Sequence, residues 1–456
     1  MAEATAEGQE PPGTGSPTGY APSLGLFSAT MMVVGGIIGS GIFLNPAIVA
    51  ARVGSVGLTL ATWVIGGIIA LIGSLVFAEL GAWRPLAGGG YVYLRDGYGR
   101  LPAFLYAWTL LLVIATGAIA AVAVTFATYT AALLGWSANT HVPLAVVAIL
   151  LLSAVNYRGV KPGALTQNVL TLLKLAALGL LIAAGLTSPG TTNGADALPV
   201  GTGSLTLTLG AALVPVLFAF GGWQQTNFVA EELIEPERNL PRALLAGVAI
   251  VVLVYLLANL AYLRTLGLAG LARSSAPAAD AMTARFGAAG GTLIAGGIAI
   301  SSFGFLNLVI LVSPRVYRAM AVDGLFFPSL ARLHPRYRTP TAAILFQGAW
   351  ATLLTLTGRY SDLLDYVVFG DWIFFGSTAA TLFVFRRRAD RHLEGGAVRF
   401  RMPGYPWAPL VFILAAIFVV VGSIASNPAN AIRGATLMIL GIPIFLYWDR
   451  KKQSRS

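Results

Sequence analysis

The stretch Gly35-Gly36-Ile37-Ile38-Gly39-Ser40-Gly41-Ile42-Phe43 decides how this chain is read. It lies inside an apolar run, residues 24–50, that is long enough to cross a bilayer. Glycines and a serine occupy positions where a plain spanning helix carries Leu or Val. Glycine in a helix interior costs about 1 kcal/mol against alanine. At membrane depth, freed peptide groups are tolerated only where protein or a water-filled cavity satisfies them. A helix built to break at mid-membrane is therefore a binding element rather than a simple anchor.

Composition agrees with a membrane setting. The 456 residues are 57% hydrophobic and 10% charged, against roughly 25% charged in a soluble domain. The hydropathy pattern predicts an all-α polytopic membrane protein with twelve spans. Their limits are 24–50, 56–82, 101–134, 141–156, 165–186, 207–232, 241–266, 287–320, 341–357, 362–385, 407–425 and 430–448. Span four is short, and span eight is expected to continue as a helix beyond the bilayer.

The net charge of +11 raises nucleic acid as a partner. Its distribution argues against that. Twenty-two basic residues fall on the segments that share a side with both termini. Six fall on the other side: Arg52, Arg264, Arg273, Arg285, Arg359 and Arg433. Lys174 alone lies within a span. This is the positive-inside bias, and it places both termini in the cytoplasm of a cell membrane. The Arg386-Arg387-Arg388 run reads as a topology anchor favoured by anionic lipid. With no cysteine, disulfides and thiolate metal sites are excluded. His141, His334 and His392 fall in loops with no metal-binding spacing, so neither a metal nor a cofactor is expected. Residues 1–22, rich in Gly, Pro, Ser and Thr and without Lys or Arg, read as a disordered cytoplasmic tail rather than a secretory signal.

A second interruption, Phe218-Ala219-Phe220-Gly221-Gly222-Trp223-Gln224-Gln225, falls in span six. Spans one and six are five apart, so each opens a five-helix unit, and an odd count sets the two units in opposite orientation. Interruptions at corresponding positions of two halves point to a transporter site on a 5+5 inverted repeat. The expected organisation is a ten-helix core over 23–390, with halves at roughly 23–190 and 205–390. Two peripheral spans follow over 391–448, then a basic tail over 449–456.

With these breaks placed, the chain resembles the amino acid–polyamine–organocation superfamily, and within it the L-type amino-acid transporter branch. The glycine-serine-glycine break of span one is similar to that superfamily's signature. Matching stretches follow in order: Phe77-Ala78-Glu79-Leu80-Gly81, Gly89-Gly90-Tyr91-Val92-Tyr93 and Asn156-Tyr157-Arg158-Gly159-Val160. Gln167-Asn168-Val169-Leu170-Thr171 with Lys174, and Phe218 to Trp223, come next. Glu231-Glu232, Pro236-Glu237-Arg238-Asn239-Leu240-Pro241, Arg315, Asp323-Gly324 and Thr339-Pro340 complete the series. The resemblance implies the LeuT-type fold, with spans one and six broken. Animal members of the branch are linked to a glycoprotein subunit through a cysteine that this chain lacks, so a stand-alone, prokaryotic-type transporter is expected.

An α-amino acid offers a carboxylate and an ammonium, and a broken helix supplies partners for both. The half-helix starting near Gly41 presents free amides and a positive dipole end to the carboxylate, around Ser40 and Gly41. The ammonium is assigned to carbonyls near Ile37, Phe218 and Gly221. The resemblance makes Phe218 an outer gate, against ordinary core packing. Trp223 and Gln224 would face the substrate side chain, although relatives often carry a smaller polar residue where Gln224 stands. Sodium-coupled relatives of this fold place a cation near broken span one, and the matching lysine of the L-type branch puts an ammonium there. Lys174 is thus expected to steady span one against span eight, with Ser301 and Ser302 as partners, and transport to be sodium-independent.

Asp371 in span ten is the least expected residue, since relatives usually carry a neutral residue there. It would receive a cationic substrate side chain or carry a proton; alternatively it is a buried neutral acid, or lies at a wet outer mouth. Glu231, Glu232 and Arg238 form either an inner-gate ion-pair network or a solvated rim.

The leading expectation is a secondary transporter of L-amino acids that works by alternating access and exchanges one amino acid for another. A proton-coupled symporter, or a cationic amino-acid or polyamine permease of the same fold, is the alternative. An intramembrane enzyme would need a nucleophile facing a base, and no Ser–His or His-rich set falls within the spans.

Overall fold

The computed structural model describes residues 19–190, 198, 205–357, 360–391, 399–426 and 428–453. Among these residues all regular structure is helical, apart from isolated bridges such as the parallel one between Leu24 and Leu233. Eight helices are long and apolar enough to cross a membrane, and a ninth span is a bent pair, Leu26–Ile37 and Gly41–Val53, meeting at 43°. The remaining expected segments are helical too. Leu205–Ala219 runs into a 3₁₀ stretch, Trp223–Glu232, and Thr341–Thr357 and Tyr360–Asp390 follow.

The two breaks lie against each other. Gly222 has φ 108°, a left-handed conformation that suits glycine, and a Cβ added to it would stand 2.2 Å from the Gly36 carbonyl oxygen. A Cβ on Gly36 would stand 2.9 Å from the Gly222 oxygen. Backbone touches backbone here, and both glycines are needed for the approach.

Polar side chains hold the first half-helix in place. Asn156 Nδ2 donates to Asn307 Oδ1 (3.0 Å), and Asn307 Nδ2 donates to Gln167 Oε1 (3.0 Å). Gln167 Nε2 donates to Thr171 Oγ1, and that hydroxyl donates to the Met31 carbonyl, both at 3.2 Å. All four side chains are fully buried. Such a chain of linked amides fixes register across spans four, eight, five and one.

Two prolines extend the argument. A helical proline has no N–H, so the carbonyl four residues earlier loses its donor. Pro46 frees the Ile42 carbonyl, which accepts instead from the Tyr262 hydroxyl at 3.2 Å. Pro215 frees the Ala211 carbonyl, which accepts from the Arg52 guanidinium. Span seven, Pro236–Arg273, breaks at Gly267 (φ 67°, ψ 171°), where the sequence places its end.

One end of the bundle is laced with charge. Of the expected 1–22 tail, residues 1–18 lie outside the described residues, but Tyr20 is buried and does not belong to a loose tail. The Ser23 and Leu24 amides donate to the Glu232 carbonyl at 2.8 and 2.9 Å. At the same end Arg386 forms a two-pronged pair with buried Glu79 (2.8 and 2.7 Å). Arg388 donates to the Asp96 carbonyl at 2.6 Å. Only Arg387 of that run stands exposed, so the lipid-anchor expectation fits it alone.

Gly222→Ala is expected to add about 1–3 kcal/mol of backbone strain, and a steric clash with Gly36 beyond that. The measurable outcome is a marked loss of monodisperse protein and a lower Tm in detergent. A wild-type Tm would show that the two breaks do not touch as described.

Candidate functional site

A cavity of about 330 Å³ opens where the two breaks meet. That is the lower end of the range for small-molecule pockets, roughly 300–1,000 Å³. Gly36, Ile37, Gly39, Ser40 and Gly41 line it from span one, and Phe218, Gly221, Gly222 and Gln224 from span six. Ser302 of span eight and Asp371 of span ten complete the expected set on its wall. Span three bulges at the cavity, where a π-helical turn over Leu110–Ile114 brings both of its end residues to the lining. Such turns recur at functional sites.

The peptide groups at the break divide into taken and free. Ile37 O already accepts from the Gly39 amide (2.9 Å) and from the Tyr255 hydroxyl (3.1 Å). Phe218 O accepts from the Gly221 amide at 3.1 Å. Of the three carbonyls that the sequence offers to an ammonium, those of Ile37 and Phe218 are thus already engaged, and that of Gly221 is not. Among the described residues, the carbonyls of Gly36, Gly39 and Gly221 take no hydrogen bond, and all three glycines line the cavity. The half-helix beginning at Gly41 presents its first amides to the same space, since the first turn of a helix has no internal acceptors. Ser40 makes no side-chain capping bond, so its hydroxyl is available too. One cavity therefore offers amide donors with a positive dipole end, and carbonyl acceptors beside them.

Lys174 is fully buried behind the break and does not line the cavity. Its ammonium donates to the carbonyls of Gly35 (3.0 Å) and Ile38 (2.8 Å). Ser301 Oγ shares the Ile38 oxygen at 3.3 Å. A Cβ at Gly304 would stand 3.2–3.3 Å from the end of the lysine, so glycine makes room for the ammonium. Ser301 and Lys174 thus act on one carbonyl, while Ser302 faces the cavity.

Tyr255 and Tyr262 are site residues that the sequence reading missed. The Tyr255 hydroxyl lies 3.1 Å from Ile37 O and 3.2 Å from Ala219 O, joining the ends of both first half-helices. Tyr262, two helical turns on, serves Ile42 O. The signal was present in two tyrosines seven apart in an apolar span, together with a proline that orphans a carbonyl. Trp223 departs from expectation. It packs against Phe77 (5.0 Å between centroids), Phe375 and Phe412 and lies outside the cavity lining. Gln224 does line it, held by the Gly222 amide donating to its Oε1 at 3.0 Å.

Phe218 and Leu44 are the most exposed of the large lining side chains, at 41% and 39%. Both lie on half-helices that run away from the charged end. At the charged end Arg315, fully buried, grips Glu232 through Nε (2.7 Å) and Nη2 (3.2 Å). Glu231 accepts from the Tyr20 amide at 3.2 Å. Tyr20 lies under Arg318 (4.7 Å) and Arg315 (5.7 Å). Burial pushes its phenol above the usual range against the pull of those two arginines, so it stays a neutral hydroxyl. Arg238 does not join this network: it reaches Glu235 at 3.4 Å, and both are exposed. Arg315, carried on the helical continuation of span eight, holds the place assigned to it. Among the described residues no group of three or more His, Cys, Asp or Glu is placed to hold a metal.

Arg315→Met leaves Glu232 buried without its partner, a loss of about 3–5 kcal/mol. Thermal unfolding in detergent reads it, and Glu232→Gln combined with Arg315→Met is expected to recover part of the loss. Tyr255→Phe removes the shared donor of Ile37 and Ala219, worth about 1–3 kcal/mol. An unchanged Tm in both single variants would contradict the hydrogen bonds described.

Residues 24–447 match the amino acid permease family. The serine/threonine exchanger SteT of Bacillus subtilis is 32% identical over 439 residues, covering 96% of this chain and 99% of that protein. The human large neutral amino acids transporter small subunit 2 is 32% identical over 456 residues, with 94% and 81% covered. The human b(0,+)-type amino acid transporter 1 is 31% identical over 454 residues, with 98% and 90% covered. Paired breaks on one cavity, a helical bundle of many apolar spans and matches along almost the whole length agree: this chain is a multi-pass membrane protein of the amino acid permease family, within the amino acid–polyamine–organocation superfamily.

Proposed function

We propose that the protein is a secondary transporter that exchanges one L-amino acid for another by alternating access, independently of sodium. The observation that carries this reading is the split of peptide groups at the paired breaks. Amide donors and unpaired glycine carbonyls face one cavity, and together they suit a zwitterion. The carboxylate goes to the amides at Ser40 and Gly41, and the ammonium to the carbonyls of Gly36, Gly39 and Gly221. The relatives named as exchangers or amino acid transporters support amino-acid exchange as the activity.

The Lys174 ammonium supports independence from sodium. It occupies the carbonyls of Gly35 and Ile38, the groups a metal cation would otherwise coordinate at this bend. With both termini cytoplasmic, as the placement of basic residues argues, the charged end faces the cytoplasm. The cavity then faces outward in this conformation, and Phe218 is placed to close over substrate. Residues 23–390 form the inverted-repeat core and the two last spans lie at its periphery. The chain has no cysteine, so any partner subunit would bind without a disulfide. A proton-coupled mode is the second reading, and Asp371 on the cavity wall is the observation that favours it.

Counterflow in proteoliposomes tests the proposal. Vesicles preloaded with one unlabelled amino acid at a time should accumulate labelled serine, with equal rates in sodium and in choline. An obligatory sodium gradient would refute the ammonium reading, and a requirement for a pH step would favour the second mode. Lys174→Gln is expected to slow exchange by roughly 10- to 100-fold, the worth of one or two hydrogen bonds from a charged donor.

A further inference from the structure

Asp371 is left over once the zwitterion has been accounted for. The backbone at the two breaks provides partners for both its charges, and none of those partners is a charged side chain. Among the described residues, Asp371 is the one Asp, Glu, Lys, Arg or His in the cavity lining. No hydrogen bond or ion pair of its carboxyl occurs among the described residues. Among the described residues, the buried carboxylates elsewhere are fully engaged. Glu79 binds Arg386 and the Met402 amide, and Glu232 binds Arg315. A carboxyl aimed into a largely apolar cavity without a protein partner is costly unless something else supplies one.

The surroundings define that something. Trp372 follows Asp371 in the chain, and Tyr106, Phe218, Phe305 and Phe375 also line the space. A carboxylate set among aromatic faces suits an ammonium or guanidinium. The cation gains an ion pair and a ring quadrupole, and carries apolar methylenes that suit the rest of the wall. Every other polar side chain in the described lining, Gln224, Gln225, Ser302 and Tyr106 among them, is a neutral amide or hydroxyl.

We infer that Asp371 is a specificity-determining residue that admits amino acids with a cationic side chain, of the lysine, ornithine and arginine class, alongside neutral ones. The inference rests on the amino-acid exchange proposed above and adds a third point of charge recognition to it. The α-carboxylate and α-ammonium go to the backbone at the breaks, and the side-chain cation reaches across the cavity to span ten. Neutral substrates leave that carboxyl to water or to a proton.

The test is exchange by wild type and Asp371→Asn in proteoliposomes, using labelled arginine and labelled serine, each against unlabelled arginine, lysine and serine inside. Wild type should exchange both labels. In the variant the ratio of arginine to serine kcat/KM should fall at least ten-fold, with Tm held within a few degrees as evidence of folding. Asp371→Glu should restore part of that ratio. The inference is overturned if wild type exchanges serine but no cationic amino acid. It is overturned equally if Asp371→Asn lowers both substrates by one factor, or if it abolishes only a pH dependence while the ratio stands. Failure of every amino acid to exchange in wild type would remove the proposed transport function itself.

Discussion

Within a bilayer a peptide group that loses its helical partner has no water to replace it. Two severed helices at one depth create many such groups, and the architecture around them answers each in turn. Lys174 serves Gly35 and Ile38, Tyr255 serves Ile37 and Ala219, Tyr262 serves Ile42, and Arg52 serves Ala211. Among the described residues, three glycine carbonyls on the cavity wall and the first amides of the second half-helix are left without such a partner. The site is thus the remainder of a nearly complete hydrogen-bond account. Spans five and seven are placed where the remainder requires support from behind.

The breaks were legible because glycine is costly in helices and conspicuous in an apolar run. The glycines of span one and Gly221-Gly222 marked them to within a residue or two, and family motifs carried the fold. The satisfying groups were harder to read. A tyrosine in an apolar span is ordinary in composition, and only the position of Pro46 relative to Ile42 singles out Tyr262. Trp223 follows the break by one residue, yet its ring turns into the Phe77–Phe375–Phe412 cluster. One residue of a 3₁₀ turn rotates a side chain by about 120°, more than a reading by proximity resolves. Arg238 and Arg315 were confused for a related reason. Charge near a helix end is visible in sequence, but which arginine is buried depends on how span eight continues past the bundle.

The charged end and the break have different energetics. A hydrophobic seal of the same area would resist opening in proportion to the apolar surface exposed. A buried ion pair behaves otherwise: its mutual attraction is largely offset by the hydration both partners gave up. On the transport mode proposed, Arg315 and Glu232 would recover that hydration together when the end opens, so the pair is costly to break by removing one partner and inexpensive to release as a whole. Tyr20 covers the pair with an aromatic face and ties the N-terminal segment to it through Glu231. On that reading, rocking one bundle against the other exchanges one set of polar contacts for water.

The same reasoning separates what is general in recognition from what is selective. Peptide groups at a helix break are the same whatever side chains surround them, so a zwitterion held there is recognised by its backbone alone. Selectivity must come from walls that the break does not build, namely spans three, eight and ten. In this chain those walls are apolar and aromatic, with small serines and one carboxyl. On the assignment proposed, a substitution at Ser40 or Gly41 alters the grip on every amino acid, because each presents the same carboxylate. On the same assignment, a substitution on span ten alters which side chain is tolerated, because the groups assigned to the α-carboxylate and α-ammonium are untouched. Affinity for the class and choice within it therefore reside on different helices, and they can diverge independently among proteins that share the same broken pair.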